Sequence, residues 1–191
     1  MRIVEVTENK KQYLDLLLLA DEQEDMVDRY LYNGKMYVLD DDGVKCECVV
    51  TDEGTGILEI KNIATVPPFQ RKGYAKALIE FLVERYRRQF SILQVGTGDS
   101  PLTIPFYEKC GFVRSHTVPN FFTDHYDHPI YECGVHLVDM VYLQRPYKTN
   151  SSLPCTFLAG FGAAFCSYKE QKTRTVSPIQ LYSSGFLVIP F

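Results

Sequence analysis

The sequence lacks several features that would point to particular classes of protein. Its formal net charge is -4 and its pI is about 5.6, so no basic excess favours binding to nucleic acid phosphates. None of its six cysteines stands in a CxxC pair, and a chain of 191 residues does not need a disulfide framework to fold. We therefore expect reduced, mostly buried thiols and no nucleic acid partner.

Long apolar runs are also missing. The longest early run, LLLLA at residues 16–20, is much shorter than the roughly 20 residues that cross a bilayer. The N-terminus shows no basic start followed by an apolar signal core, and the chain has no internal repeat. We expect a cytoplasmic protein that does not enter membranes.

The residues that are present suit a packed globular core, with 46% hydrophobic and 23% charged side chains. Turn formers separate three early β-runs, which predicts antiparallel neighbours, and a strand–helix–strand order then predicts one parallel pair. The predicted strands are residues 2–6, 35–40, 44–51, 56–66, 91–96, 112–116 and 137–144. The predicted helices are residues 10–31, as one helix or two, 72–88 and 101–110.

The character of the chain changes near residue 146. Beyond it, Ser, Thr, Gly and Pro mix with short apolar clusters such as GFLVIP, without a clear period. We therefore predict a core domain at residues 1–145 and an extension of unknown role at 146–191, peripheral to catalysis. The extension is apolar enough to pack on the core or to pair with another chain, which leaves a homodimer open. An atypical extension of the reading frame is the third alternative.

One segment carries the chemistry. Residues 63–75, IATVPPFQRKGYA, run from a strand through a loop into a helix start. Unpaired N–H groups at a helix N-terminus, together with the helix dipole, attract phosphates. Gly73 allows close backbone approach, and Arg71 and Lys72 add positive charge. The segment predicts a pyrophosphate site, although an isolated match of this kind is often only an exposed helix start.

This segment resembles the signature of the GNAT acetyltransferase family, with Ala75 in place of the commoner Gly. The resembling residues are Gln70, Arg71, Lys72, Gly73, Tyr74 and Ala75. Residues 106–112, FYEKCGF, and the later VDMVYL extend the resemblance over roughly residues 1–145, as in a bacterial subgroup without an assigned substrate. The resemblance implies an α+β GNAT fold: a mixed, mostly antiparallel sheet with one splayed parallel pair and helices on both faces.

The resemblance also implies acetyl-CoA as the donor cosubstrate, without a metal. By position, main-chain groups of Ile63, Ala64 and Thr65 would contact the pantetheine and the thioester. Glu59 is the candidate base, and its alternative is a solvent-facing strand carboxylate. Tyr107 is the candidate acid for the departing thiolate, and its alternative is a core tyrosine with a surface hydroxyl.

Two further segments belong to this prediction. In residues 96–100, Ser100 is expected to contact the cofactor, although Asp99 or Ser100 would also serve as a helix N-cap. The loop at residues 116–132, rich in acidic and aromatic side chains, is expected to form part of the acceptor pocket. The spacing of its histidines matches no common zinc arrangement.

The sequence therefore predicts an acetyl-CoA-dependent N-acetyltransferase acting by direct attack in a ternary complex. Its acceptor would be a primary amine of a small molecule or a peptide, and the acidic loop suits a cation. The alternatives are a non-catalytic or regulatory acetyl-CoA-binding module and a transferase for longer acyl groups.

Overall fold

The computed structural model describes residues 1–147. The strands are β1 (Arg2–Val6), β2 (Lys35–Asp40), β3 (Val44–Asp52), β4 (Ile57–Thr65), β5 (Ile92–Gly98), β6 (Val113–Val118), β7 (Tyr131–Glu132), β8 (Val135–His136) and β9 (Met140–Pro146). The helices are α1 (Leu14–Leu17), α2 (Glu24–Leu31), α3 (Tyr74–Tyr86), α4 (Thr103–Lys109) and α5 (Phe121–His125). The expectations for the extension, including a homodimer contact, lie outside the described residues.

Seven strands form one mixed sheet in the order β1-β2-β3-β4-β5-β9-β6, and β7 pairs with β8. Within that sheet β4 and β5 are parallel and the other neighbours are antiparallel. This arrangement confirms the predicted mixed sheet with one parallel pair. A helical crossover, α3, joins the two parallel strands, as a parallel connection requires.

Helices cover both faces of the sheet, as two adjacent residues of β4 show. Ala64 packs with Leu16 and Ala20, which lie in or just after α1, whereas Thr65 shares a cavity with residues of α3. Successive strand residues point to opposite faces. The α1–α2 segment therefore lies on one face and α3 on the other.

A gap opens between the two parallel strands. Their pairing runs from Ile57 with Ile92 to Ile60 with Val95 and ends there. On the other side of β4 the register with β3 shifts, because Val50 pairs with Ile60 and Val49 with Asn62. The extra residue is a β-bulge, which bends a strand. The last five residues of β4 thus leave β5 and open a slot through the sheet.

Residues 10–31, predicted as one helix or two, contain a 3-10 turn followed by two short helices, α1 and α2, separated around the charged stretch DEQED. This agrees with the second alternative. Two other local predictions differ from the structure. The loop predicted at 116–132 contains the end of β6, α5 and β7. Neither Asp99 nor Ser100 is the N-cap of α4; Leu102 occupies that position.

Within residues 1–147 no helix is long and apolar enough to cross a membrane. The cysteines of this range are free thiols. Cys46, Cys48 and Cys110 are buried, and Cys133 is exposed.

Candidate functional site

The loop before α3 is shaped to present main-chain N–H groups. Arg71 and Gly73 both adopt left-handed backbone conformations, with φ of 61° and 89°. The first bond of α3 runs from the Ala77 N–H to the Gly73 carbonyl, at 2.9 Å, and no side chain of the described residues caps the helix. The N–H groups of its first turn therefore point outward, as in a backbone nest for anions.

A cavity of about 250 Å³ lies beside this helix start. Its lining residues are Thr65, Arg71, Gly73, Tyr74, Ala75, Lys76, Phe106, Lys109 and Cys110. Three of these side chains are cationic, and the helix dipole adds partial positive charge at the same place. The first five are predicted cofactor residues, so the structure brings them together around one anion-compatible cavity.

Four other predicted cofactor residues do not line this cavity. The Gln70 side-chain amide donates to the Thr65 carbonyl at 3.4 Å, which ties the loop to the end of β4. The Lys72 ammonium lies 4.9 Å from the centre of the Phe69 ring. Ile63 and Ala64 are fully buried in β4, where their main chain borders the gap.

Ser100 is buried in the turn after β5. Its hydroxyl accepts a hydrogen bond from the Leu102 N–H at 3.1 Å, which orders the approach to α4. This contact explains the residue structurally, and its predicted contact with the cofactor stays a prediction.

Tyr107 is fully buried in α4, between the rings of Phe106 and Phe112. Among the described residues its hydroxyl has no hydrogen-bond partner. Burial raises the pKa of Tyr107 well above its ordinary value, and the nearby Cys48 thiol raises the pKa further. Because Cys48 is opposite Ile63 in the sheet, the neutral Tyr107 hydroxyl lies close to the strand that borders the gap. Its proton is not used in a hydrogen bond among the described residues.

Glu59 is also buried rather than facing solvent, at 3% exposure. One carboxylate oxygen accepts from the Lys61 ammonium at 2.6 Å and the other from the Gln94 amide at 2.8 Å. Burial raises the pKa of the Glu59 carboxyl, and the charge of Lys61 partly offsets this. The candidate base is thus one member of a buried ion pair next to the point where β4 and β5 separate.

The acidic and aromatic loop encloses a second cavity, of about 240 Å³. Its lining residues are Phe122, Thr123, Tyr126, Asp127, His128, Pro129, Ile130, His136 and Leu137. The histidines of this region have separate partners: His116 stacks on Tyr142, and His125 on Phe121. Within residues 1–147 no group of three or more His, Cys, Asp or Glu side chains is placed to hold a metal ion.

The sequence analysis missed two buried carboxyl groups on the α1–α2 face. Asp21 is fully buried and accepts hydrogen bonds from the Tyr126 and Tyr30 hydroxyls at 3.2 and 3.4 Å. Burial raises the pKa of Asp21 to about 7. Glu47, in the otherwise apolar run CECVV, is fully buried too. A single acidic residue within an apolar run is the sequence feature that could have identified Glu47.

Comparisons with known proteins identify similar chains. A family model described as an acetyltransferase (GNAT) domain matches residues 32–114. A Bacillus subtilis protein named uncharacterized N-acetyltransferase YvbK is 35% identical over 146 residues, which cover 75% of this chain and 94% of the relative.

Two crystal structures are similar along nearly their whole length. One is a GNAT family acetyltransferase from Elizabethkingia anophelis with acetyl-CoA bound, with 31% identity, a TM-score of 0.72, and coverage of 76% of this chain and 97% of that one. The other is a Bacillus subtilis acetyltransferase in complex with CoA, with 34% identity, a TM-score of 0.70, and coverage of 76% and 97%.

Proposed function

The chain belongs to the GNAT family of acetyltransferases, and from this premise we propose that it transfers the acetyl group of acetyl-CoA to a primary amine. The observation that carries the proposal is the uncapped start of α3 beside the cavity at Thr65. We assign the pyrophosphate to the N–H groups of residues 71–76 and the pantetheine to the gap between β4 and β5. The two CoA-containing relatives support this assignment.

The transfer would proceed by direct attack in a ternary complex. The neutral amine nitrogen forms a bond to the thioester carbonyl carbon, and the C–S bond breaks when the tetrahedral intermediate collapses. One proton leaves the nitrogen and the sulfur gains one, so the site needs both a base and an acid. The acceptor is a small molecule or a peptide amine.

Tyr107 is the proposed acid. Its high pKa keeps the phenol protonated at neutral pH, and its hydroxyl has no partner among the described residues that would have to be displaced. It would donate a hydrogen bond or a proton to the departing thiolate.

Glu59 is the proposed base. A carboxylate has about four lone-pair positions, so it can accept a proton, directly or through water, while Lys61 and Gln94 hold its orientation. A pKa raised by burial brings this carboxyl nearer to neutral pH, where a general base works best.

Isothermal titration with acetyl-CoA tests the cofactor site. Arg71→Glu and Gly73→Asp should each weaken binding by at least about 10-fold, because each places a negative charge against the phosphates. Gly54→Asp is a matched control: Gly54 also has a positive φ of 75° and open space around its missing side chain, but it lies in the β3–β4 turn. Arg87→Glu, just after the far end of α3, controls for charge.

Both controls should bind acetyl-CoA as the wild type does. A wild type that does not bind acetyl-CoA, or site variants that bind as tightly as the controls, would remove the proposed function.

A further inference from the structure

Three buried acceptor atoms on the α1–α2 face are unsatisfied. Both carboxylate oxygens of Glu47 and the side-chain oxygen of Asn62 have no hydrogen-bond partner of normal geometry among the described residues. The Ala64 N–H lies near enough to favour the ionised form of Glu47, although burial outweighs it and raises the pKa of the carboxyl. Both residues are fully buried. Buried polar atoms in native proteins almost always have partners, so three free acceptors in one place point to a ligand.

The register of β3 and β4 places these atoms together. Glu47 is opposite Ala64, and Val49 is opposite Asn62, so Glu47 and Asn62 are diagonal neighbours. Residues two apart on a strand share a face, and diagonal pairs are within reach of long side chains. The amide nitrogen of Asn62 is already used, donating to the Leu17 carbonyl at 3.0 Å and to the Tyr30 hydroxyl at 2.8 Å. The orientation of the Asn62 amide is therefore fixed, and its oxygen accepts no hydrogen bond among the described residues.

Hydrogen bonds connect this cluster to Asp21. The Tyr30 hydroxyl, which accepts from Asn62, donates to Asp21 at 3.4 Å, and Tyr126 donates to the same carboxyl at 3.2 Å. Glu47 interacts electrostatically with Tyr30 as well. The result is a buried group of two carboxyls and one amide oxygen, with acceptors in excess of donors.

We propose that Glu47, Asn62 and Asp21 form the site that binds the ammonium group of the acceptor substrate. An alkylammonium has three N–H donors and one positive charge, which match three free acceptors and the surplus of carboxyl groups. A neutral hydroxyl compound offers one donor and no charge, and an anion would be repelled. The inference rests on the proposed acetyl transfer and names its substrate class.

The position suits that role. Asn62 and Ala64 flank Ile63 on the part of β4 that has separated from β5. An amine on the α1–α2 face and a thioester in the gap would therefore meet at the same strand segment. The bound ammonium would first lose one proton to Glu59, directly or through water, so that its nitrogen can attack the thioester carbon. A second proton leaves the nitrogen as the C–S bond breaks and Tyr107 protonates the thiolate.

The second cavity indicates the rest of the substrate. Tyr126 belongs to the wall of that cavity and also donates to Asp21, so it stands between the cavity and the acidic cluster. Phe122, Ile130 and Leu137 make the wall largely apolar. The structure thus favours a small primary amine with an apolar or aromatic body that enters past Tyr126.

The test uses the full chain saturated with CoA, which holds the cofactor site without turnover. 2-Phenylethylamine and 2-phenylethanol are titrated separately, because they differ only in the ammonium. The wild type should bind the amine at least about 10-fold more tightly than the alcohol, given the strength of charged hydrogen bonds. Glu47→Gln should bring the ratio close to one while leaving alcohol binding unchanged. Glu5→Gln, on β1, is the control and should keep the wild-type ratio.

Asp21→Asn is the second variant and carries the test if Glu47→Gln does not fold; it should also lower the ratio. A wild type without preference for the amine, or folded variants that keep the preference, would overturn the inference. Acetyl-CoA binding distinguishes failure of the ammonium site from failure of the proposed function. If the protein binds acetyl-CoA but does not prefer the amine, only the ammonium site is wrong. If the protein does not bind acetyl-CoA, the proposed function is wrong as well.

Discussion

The two faces of β4 have opposite electrostatic character. The α3 face carries Arg71, Lys76 and Lys109 around an open cavity next to an uncapped helix start. The α1–α2 face carries the buried carboxyls of Asp21 and Glu47. One face is suited to a polyanionic cofactor and the other to a cation. The gap between β4 and β5 is where groups held on the two faces would meet.

This contrast has a thermodynamic cost on one side only. Exposed cations around a cavity remain hydrated, whereas a buried carboxyl without a charged partner is expensive to ionise. The raised pKa values of Asp21 and Glu47 express that cost. A fold that keeps such groups gains something other than stability from them, and substrate binding is the gain we propose.

The largest expected effect is a loss of stability with rising pH, caused by Asp21 on the α1–α2 face. The pKa of Asp21 is about 7 in the folded protein against an ordinary value of 3.8, so the folded state holds the proton more tightly. The contribution of protonated Asp21 to the free energy of unfolding is fully present below about pH 4 and is lost as pH rises through 7. The loss amounts to roughly 4 kcal/mol. Denaturant unfolding of wild type and Asp21→Asn at several pH values measures it.

Asp21→Asn should flatten the pH dependence by that amount. The variant keeps Tyr30, Tyr126 and Asp25, which also affect the pKa of Asp21. A difference between the two pH profiles therefore reports Asp21 itself. Identical pH profiles for the two proteins would show that Asp21 is ionised without cost and would remove the contrast between the faces.

A slightly smaller change in stability is expected for Glu59. Its role as the proposed base can be separated from its role as an ion-pair partner of Lys61. Glu59→Gln removes the buried carboxylate that lies 2.6 Å from the Lys61 ammonium, so unfolding should become easier by about 3 kcal/mol. The double variant Glu59→Gln with Lys61→Met should recover most of this stability. Turnover should fall by roughly 100-fold in both variants if Glu59 is the base. Recovery of turnover along with stability would make Glu59 a structural residue only.

Tyr107 tests the α3 side of the gap. Tyr107→Phe should lower kcat by about 100-fold, because the thiolate loses its proton donor, while the free energy of unfolding stays the same or rises. The hydroxyl makes no hydrogen bond among the described residues, so its removal costs nothing in the resting fold. Stopped-flow or steady-state assays with thermal unfolding measure both quantities.

Tyr86→Phe is the matched control, since its buried hydroxyl lies 2.6 Å from that of Tyr37. It should lose about 1 kcal/mol of stability and keep its turnover. If the two tyrosine variants behave alike in both assays, Tyr107 has no special role.

The sequence predicted the loop and helix start at Gly73 far better than the buried carboxyls of the α1–α2 face. The loop at Gly73 is a local motif, in which a left-handed glycine and a helix start are contiguous in the chain. The antiparallel run β2–β4 and the parallel pair also follow from local patterns and short connections. The structure bears out these strands and their pairing.

The acidic α1–α2 face is assembled from distant segments, which is why local patterns did not reveal it. Glu47 and Asn62 meet through a strand register, and Asp21 joins them through tyrosines of α2 and the loop at 121–130. The β-bulge at Lys61 changes which face the residues before it occupy, so the burial of Glu59 could not be read from alternation. Such features depend on pairing between strands rather than on any one stretch of sequence.

An acetyl-transfer assay with purified protein, acetyl-CoA and a panel of primary amines and their alcohol counterparts measures the proposed reaction itself. Free CoA release gives the rate, and mass spectrometry of the acceptor identifies the acetylated atom. We expect amine-dependent CoA release, an N-acetylated product, and rates highest for small amines with apolar bodies. Tight acetyl-CoA binding with no amine-dependent release would contradict the proposed transfer and would favour a module that binds acetyl-CoA without transferring it.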